Sequence, residues 1–203
     1  MNLHELLKGR RSEPASSRYH REHVAPLQNG RRYRVRPVRP SDEPALTALL
    51  QRLSPEEIRL RFFSPIHRFS QRFVGPLAEA DDRRFGLVAM LADDPTEEFI
   101  ASAMLVTEAD NAEAEFAVLV HHDHTQHGLG RYLLECLLEH ACAHHTGTVF
   151  GLVLTENETM LQLAHELGFI QRPDPDEAGC FRVELVTDPA TAQAASTPAS
   201  ESR

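Results

Sequence analysis

Apolar residues run without interruption from Phe116 to Val120, and a second apolar pattern begins nine residues later. A short continuous run of this kind is typical of a strand that is buried on both faces. The second pattern has helical spacing, with apolar residues every three or four positions at Leu129, Leu133, Leu137 and Ala141. The two patterns predict a strand at 114–121, a polar loop, and a helix that extends to about residue 145.

Similar patterns elsewhere predict elements in a fixed order. Before this strand, the sequence predicts a hairpin at 24–36 with an Asn29-Gly30 turn, helices beginning near residues 43, 54 and 70, and strands at 85–91 and 98–106. After the long helix, it predicts a strand at 148–154, a helix from Asn157 that ends at Gly168, and a strand at 180–186. Such a mixture of strands and helices predicts an α/β fold.

Composition divides the chain into a domain and two tails. The first 40 residues contain ten Lys or Arg residues against three Glu, a net charge of +7 in a chain of net charge −9. We expect residues 1–23 to form a disordered basic arm, residues 24–187 to form one domain, and the Ala-, Thr-, Ser- and Pro-rich residues 188–203 to form a disordered tail. A solvated arm is a more common role for such a segment than nucleic-acid or membrane binding, and we expect neither partner here.

The cysteines favour a reducing compartment. Cys136, Cys142 and Cys180 are odd in number and have no C-x-x-C spacing. No apolar run approaches the length of a membrane span, and residues 2–9 are too polar for a signal peptide. The sequence therefore predicts a cytoplasmic protein.

Two glycines stand where the polar loop meets the long helix. Gly128 and Gly130 would let the backbone approach a ligand, and the first N–H groups of a helix have no partners within it. The helix dipole also favours an anion at this end. A strand, a loop and a glycine pair before a helix can therefore bind phosphate, although G-x-G at a helix start is more often only a tight turn.

The same stretch resembles motif A of the GNAT acyl-CoA N-acetyltransferases, which has the form Q/R-x-x-G-x-G/A after a strand that carries a glutamate. Gly128 and Gly130 match the glycines, whereas Thr125 stands at the Q/R position, one place before Gln126. Glu115 lies where several protein acetyltransferases of the family have their catalytic base. The resemblance implies that pyrophosphate binds, largely through backbone N–H groups, along Gln126, His127, Gly128, Leu129, Gly130 and Arg131.

Residues 157–169 resemble motif B of the same family, N-x-x-A/M-x-x-L-Y/A-x-x-x-G-F. The resemblance implies that Asn157 orients the cofactor or a water molecule, and Asn157 also suits a plain helix N-cap; both roles are compatible. Ala164 occupies the position at which many members have a proton-donating tyrosine. The two motifs together imply the GNAT fold, a mixed central sheet flanked by helices, from about Arg32 to Val186.

Three further segments, at 36–43, 60–64 and 114–118, resemble the acetyltransferase domain of bacterial protein-lysine acetyltransferases that regulate acyl-CoA synthetases. This resemblance implies acetyl-CoA as co-substrate, a protein lysine as acceptor, an acyl-CoA synthetase as a candidate substrate, and Glu115 as the base. The backbone of Val118 and Val120 would pair with the pantetheine arm. An N-acetyltransferase for a small amine and a non-catalytic acyl-CoA-binding regulatory module are the alternatives.

The apolar neighbours of Glu115 predict a partly desolvated carboxylate, which suits a base, and Glu113 is a rival because both side chains point the same way. A simple ion pair with an arginine is the structural alternative for Glu115. The sequence also contains a histidine-rich loop, with His121, His122, His124 and His127, and an i, i+4 pair, His140 and His144. Neither set has a Cys or carboxylate at a recognisable metal-ligand interval, so we expect no metal. Contact of His124 or His127 with the cofactor phosphates is the preferred interpretation.

Overall fold

Eight strands form one mixed sheet in the computed structural model, which describes residues 21–25, 27, 30–62, 71–78, 81 and 83–195. The strands are β1 His23–Val24, β2 Tyr33–Pro37, β3 Arg84–Leu91, β4 Phe99–Thr107, β5 Glu113–Val120, β6 Thr148–Leu154, β7 Ile170–Pro173 and β8 Cys180–Val186. The helices are α1 Glu43–Gln51, α2 Pro55–Phe62, α3 Gln71–Ala78, α4 Leu129–Ala143, α5 Glu158–Glu166 and α6 Pro189–Ala195. Short 3₁₀ helices lie at Pro40–Asp42 and His122–His124.

The sheet order is β1-β2-β3-β4-β5-β6-β8-β7, and only β5 and β6 pair in parallel among these described strands. Their pairing is short: it ends where Glu115 faces Phe150. The rest of β5, from Phe116 to Val120, continues to pair with β4 on its other side. The two central strands therefore separate after Glu115 and leave a gap at one end of the sheet.

Helices cover both faces of the sheet. One apolar cluster joins α4 to one face and includes Ala114, Phe116, Leu133 and Leu137. A second cluster joins α1–α3 to the other face through residues such as Leu46, Leu49, Val74 and Leu119. The alternation along β5 sends successive side chains to these two clusters, which explains its continuous apolar sequence. The predicted mixed sheet with flanking helices is confirmed.

A buried ion pair holds the chain between β2 and α1. The Arg36 guanidinium donates two hydrogen bonds to the Asp42 carboxylate, at 2.6 and 2.8 Å, and the Arg39 backbone N–H donates a third at 2.8 Å. Burial alone would raise the pKa of Asp42, but these bonds and charges outweigh it and the pKa is lowered. The pair fixes the turn from which α1 starts.

Most predicted elements are present within one to three residues, and two differ from expectation. Strand β7 was not predicted. Helix α6 lies in the segment expected to be a disordered tail; its start is held by Asp188, which accepts a hydrogen bond from the Ala190 N–H at 2.9 Å. A Cβ on Gly147 would lie 2.8 Å from the Ala192 nitrogen, so α6 packs closely on the chain before β6. The predicted basic arm up to residue 20 and residues 196–203 lie outside the described residues.

Within the described ranges, no helix has the length and apolar character needed to cross a lipid bilayer.

Candidate active site

A cleft of about 620 Å³ lies beside the part of β5 that is not paired with β6. One wall is β5 with Val118 and Val120, and another is α2. The turn before α4 and the residues of α5 complete it. The full lining is Glu57, Leu60, Arg61, Val118, Leu119, Val120, Thr125, Gln126, Gly128, Gly130, Arg131, Asn157, Thr159, Met160, Gln162, Leu163 and Glu166. Among the described strands, none pairs with β5 on this side beyond Glu115, so the backbone of Val118 and Val120 at the cleft can pair with an extended ligand.

The turn before α4 has the geometry of an anion site. Gly128 is the N-cap residue and has φ +81°, a left-handed conformation that a glycine adopts without a steric cost. The helical hydrogen bond from the Tyr132 N–H reaches back to the Gly128 carbonyl at 3.0 Å. The N–H groups of Leu129, Gly130 and Arg131 precede it and have no carbonyl one turn earlier in the helix. They point out of the helix start, where its dipole is positive.

A cation lies beside this turn. Arg131, in the first turn of α4, forms an ion pair with Glu166 at the end of α5, and its other nitrogen lies 4.0 Å from Glu135. Because Arg131 and Glu166 both line the cleft, their pair links α4 to α5 across its mouth. A phosphate bound at the turn would compete with Glu166 for the guanidinium.

Most of the predicted cofactor-binding residues line this cleft: Val118, Val120, Gln126, Gly128, Gly130, Arg131 and Asn157. Two do not. The Leu129 side chain is fully buried in the core, and His127 is partly buried and absent from the lining. Either residue can contribute to the turn only through its backbone. His124 is also absent from the lining, so the predicted contact of His124 or His127 side chains with phosphate has no support in the geometry.

Asn157 is a helix N-cap and also lies at the cleft. Its Oδ1 accepts a hydrogen bond from the Met160 N–H at 3.2 Å, so it is the N-cap of α5, and it also lines the cleft. A capped helix start holds its side chain in place at the edge of the cleft.

Glu115 is the last residue of β5 that pairs with β6, where the gap begins. Its side chain is exposed and does not line the main cleft, so the predicted desolvated environment is wrong. Arg61 of α2 lines the cleft nearby. Burial lowers the pKa of Arg61, and the charge of Glu115 opposes that shift. Among the described residues, no carboxylate lies within 4.0 Å of the Arg61 guanidinium. Sequence reasoning missed Arg61 as a site residue, although it lies in the 60–64 segment that carried the narrower resemblance.

Glu113, the rival to Glu115, is engaged elsewhere. Its Oε1 accepts a hydrogen bond from Arg182 at 2.8 Å, and the same guanidinium donates to Glu184 at 2.6 Å. Arg182 also lies 3.6 Å from the centre of the Phe150 ring. This network holds the Glu113 carboxylate against Arg182 of β8, and Glu113 does not line the cleft. The geometry therefore favours Glu115.

The histidine-rich loop is tied to α2 rather than to the phosphate turn. The His122 N–H donates to Glu57 Oε1 at 2.8 Å, and His122 Nδ1 lies 3.1 Å from Glu57 Oε2. Burial alone would raise the pKa of Glu57, but hydrogen bonds from Ser54 and His122 outweigh it and lower the pKa. Burial lowers the pKa of His124, and the neighbouring Arg31 adds to this effect. His140 and His144 stack on α4, away from the cleft lining.

Comparison with known proteins agrees with this geometry. The family model described as acetyltransferase (GNAT) domain matches residues 32–170, more than half of the chain. An acetyltransferase of Pseudomonas aeruginosa, PA5475, is 25% identical over 156 residues, which cover 76% of this chain and 84% of that protein.

Solved structures agree as well. The GNAT domain of S. lividans PAT has a TM-score of 0.73 and 29% identity, with 81% of this chain and 96% of that chain covered. A spermidine N-acetyltransferase of Vibrio cholerae, in complex with CoA and spermine, has a TM-score of 0.60 and 17% identity, with 76% and 95% covered, and shares the fold. GNAT enzymes use acyl-CoA, and the separated strands, the anion-binding turn and the family match lead to one conclusion: the chain belongs to the GNAT acetyltransferases.

Proposed function

We propose that this enzyme transfers the acetyl group of acetyl-CoA to the side-chain amine of a protein lysine, by direct attack of the amine on the thioester. The observation that carries the proposal is the separation of β5 from β6 directly after Glu115. Glu115 is the last residue before this separation, the β5 residues after it have no described partner on that side, and Gly128 lines the cleft. A thioester, a base and an anion site are the parts that acetyl transfer needs.

The N–H groups of Leu129, Gly130 and Arg131 would hold the pyrophosphate, and the backbone of Val118 and Val120 would pair with the pantetheine amides. Both sets of contacts use the backbone, so Thr125 at the usual Q/R position is compatible with binding. The cleft lining is mainly apolar along Leu60, Met160 and Leu163, which suits the alkyl parts of the arm.

Chemistry would then take place near the start of the gap. Glu115 would take a proton from the lysine ammonium, directly or through one water molecule. The free amine would attack the thioester carbonyl, the C–N bond would form, and the C–S bond would break as the tetrahedral intermediate collapses. Ala164 cannot donate a proton, so the thiolate would receive one from water or from the amine nitrogen. This is acceptable because a thiol has a pKa of about 8.5.

The proposed acceptor is a lysine on a folded protein. The support is the resemblance of segments 36–43, 60–64 and 114–118 to protein-lysine acetyltransferases, together with the 29% identity to the S. lividans PAT domain. By the same resemblance, an acyl-CoA synthetase is the first acceptor to test. We also propose a cytoplasmic location, which the free cysteines Cys136, Cys142 and Cys180 support.

The test is incubation of the enzyme with acetyl-CoA and a cell lysate, followed by mass-spectrometric mapping of new acetyl-lysines. The Gly128→Glu variant, which should not bind acetyl-CoA, controls for non-enzymatic acetylation. We expect a small set of sites that require the wild-type enzyme. If no site exceeds the control while a free polyamine or amino acid is turned over, the acceptor is a small amine. If the protein binds acetyl-CoA and turns over neither class, it is a binding module.

A further inference from the structure

Three potential metal ligands converge in the loop after β5. The 3₁₀ helix His122–His124 folds the chain so that side chains of His121, His122 and Asp123 meet, with one donor atom of each within 4.8 Å of the others. His121 Nδ1 lies 3.7 Å from one Asp123 carboxylate oxygen, and His122 Nε2 lies 3.6 Å from the other. The sequence showed no carboxylate at a recognisable metal-ligand interval, but in the fold the Asp123 carboxylate lies beside the two histidines.

The donor separations suit a small transition-metal ion. Four ligands at the usual Zn–N and Zn–O distances of about 2.0–2.1 Å, in a tetrahedron, lie roughly 3.4 Å from each other. The separations at Asp123, which are measured to its two different carboxylate oxygens, exceed this value by a few tenths of an ångström. All donor pairs lie within 4.8 Å, so side-chain rotations would have to draw the three groups together around an ion. The lone pair of His121 Nδ1 accepts a hydrogen bond from the Asp123 backbone N–H at 3.4 Å, so a metal bound at this nitrogen would replace that long hydrogen bond.

Glu57 supplies a second, independent feature. The two nitrogens of His122 face different carboxylates: Nδ1 lies 3.1 Å from Glu57 Oε2, and Nε2 faces Asp123. Metal-binding histidines usually donate their second ring N–H to such an outer carboxylate, which fixes the tautomer and the orientation of the ring. Glu57 is itself held by Ser54, whose N–H it accepts at 2.8 Å in the capping box of α2.

We propose that His121, His122 and Asp123 bind a divalent transition metal of the Zn²⁺ class, with Glu57 as the outer carboxylate. Two imidazoles and one carboxylate suit Zn²⁺, Co²⁺ or Ni²⁺, whereas Mg²⁺ and Ca²⁺ prefer all-oxygen sites. The His122 and Asp123 side chains are 55% and 71% exposed, so water fills the remaining coordination positions. A metal here would fix the loop that connects β5 to the Gly128 turn and would tie it to α2.

The test uses the full chain after treatment with a chelator, titrated separately with Co²⁺ and with Zn²⁺. Isothermal calorimetry gives the affinity and stoichiometry for Zn²⁺, and the visible absorption of Co²⁺ reports nitrogen and oxygen ligation. We expect one ion per chain in the tight-binding phase. His122→Ala and Asp123→Asn should each weaken binding at least tenfold and remove the Co²⁺ absorption. Glu57→Gln should weaken it about tenfold, as loss of an outer carboxylate typically does.

His144→Ala is the matched control, because it removes one member of the stacked His140–His144 pair and leaves the loop intact. We expect its metal affinity to equal that of the wild type. Circular dichroism melts without metal should be unchanged in the loop variants, since His122 and Asp123 are exposed. The proposal fails if the wild type binds no ion, if His122→Ala and Asp123→Asn bind as tightly as the wild type, or if His144→Ala abolishes binding.

Discussion

Replacing Glu115 with glutamine is the most direct test of the proposed mechanism. The change keeps the shape of the side chain and removes its ability to take a proton. Because Glu115 is exposed on β5 and makes no hydrogen bond or ion pair within the described ranges that holds the strand, we expect the fold to be unaffected. Acetyl-CoA affinity should also be unchanged, since Glu115 is not part of the anion-binding turn and does not line the cleft.

The expected magnitude follows from the chemistry of the acceptor and the position of the base. A lysine amine with a pKa of about 10.4 is free in only roughly one molecule in 2,500 at pH 7. General bases typically contribute 10²–10⁴-fold to the rate. The exposure of Glu115 favours the lower end of this range, because water competes for the same proton. We therefore expect a loss of about a hundredfold in kcat/KM, equivalent to about 2.7 kcal/mol of transition-state stabilisation.

The assay is steady-state acetylation of a lysine peptide from pH 6.5 to 10, followed through release of free CoA thiol. Activity of Glu115→Gln should approach that of the wild type as pH rises, because the amine then loses its proton without assistance. Glu113→Gln is the matched control: it makes the same change two residues away, on a carboxylate already bound to Arg182, and should retain most activity. Near-normal activity of Glu115→Gln at neutral pH would refute the assignment, and a hundredfold loss in Glu113→Gln would transfer the role to Glu113.

Three other predictions concern binding and stability. Acetyl-CoA should raise the Tm of the wild type but not that of Gly128→Glu. The glutamate side chain would add bulk and a negative charge at the anion site, and it would strain the backbone at φ +81°. Calorimetry that shows no binding of acetyl-CoA to the wild type would contradict the acetyltransferase assignment. Asp42→Asn should lower the free energy of unfolding by about 3 kcal/mol, because it leaves the buried Arg36 without its counter-ion. The control Asp93→Asn removes an exposed ion pair with Arg32 and should lower the free energy of unfolding by at most about 1 kcal/mol. Because the pKa of Asp42 is lowered in the folded state, its stabilising effect is fully present above about pH 4 and is lost as pH falls through the folded pKa. In urea denaturation, the difference in free energy of unfolding between the wild type and Asp42→Asn should therefore be largest above about pH 4 and shrink in acid. A difference that does not change with pH would contradict this reasoning. We expect the basic arm to dock on an acidic surface of a protein acceptor. Removal of residues 1–18 should therefore weaken salt-sensitive binding to that acceptor and leave turnover of a short peptide unchanged. Tight, salt-dependent binding of the wild type to random duplex DNA would contradict this role.

Features that depend on neighbouring residues were predictable from the sequence. Helix α2 begins near residue 54 as the sequence predicts, and Ser54 caps it: the Glu57 N–H donates to Ser54 Oγ at 3.2 Å, and the Glu57 carboxylate accepts from the Ser54 N–H at 2.8 Å. Gly128 adopts the predicted turn conformation, and Asn157 caps α5. Each of these depends on a few consecutive residues whose side chains bind the local backbone. Caps and turns of this kind can be predicted from a few consecutive residues of the sequence.

Features that depend on distant segments were not predictable. Strand β7 has the sequence Ile-Gln-Arg-Pro with Ile170 exposed, so it has no apolar alternation, and it forms because it pairs with β8. Helix α6 lacks an apolar face in sequence and is positioned by Asp188 and by the close approach at Gly147. Arg61 enters the site from α2, about fifty residues before β5. Strand β7 therefore depends on pairing with the strand that follows it, and α6 and Arg61 depend on segments that lie farther away in the chain.

The position of the gap itself can be traced to packing at its base. Phe116 is the first residue of β5 beyond the last pair with β6, and its ring lies against Gly151, where an added Cβ would be 2.6 Å from the ring. The ring of Phe169, which follows α5, meets the Phe116 ring edge-on at 5.4 Å. The base of the gap is therefore filled by two buried aromatic rings. Side chains alternate between the two faces along a strand. Because Phe116 points into this packing on one face, its neighbour Glu115 points to the opposite face, next to the same position in the sheet. The packing of Phe116 that determines where β5 and β6 separate therefore also determines where along β5 the Glu115 carboxylate lies.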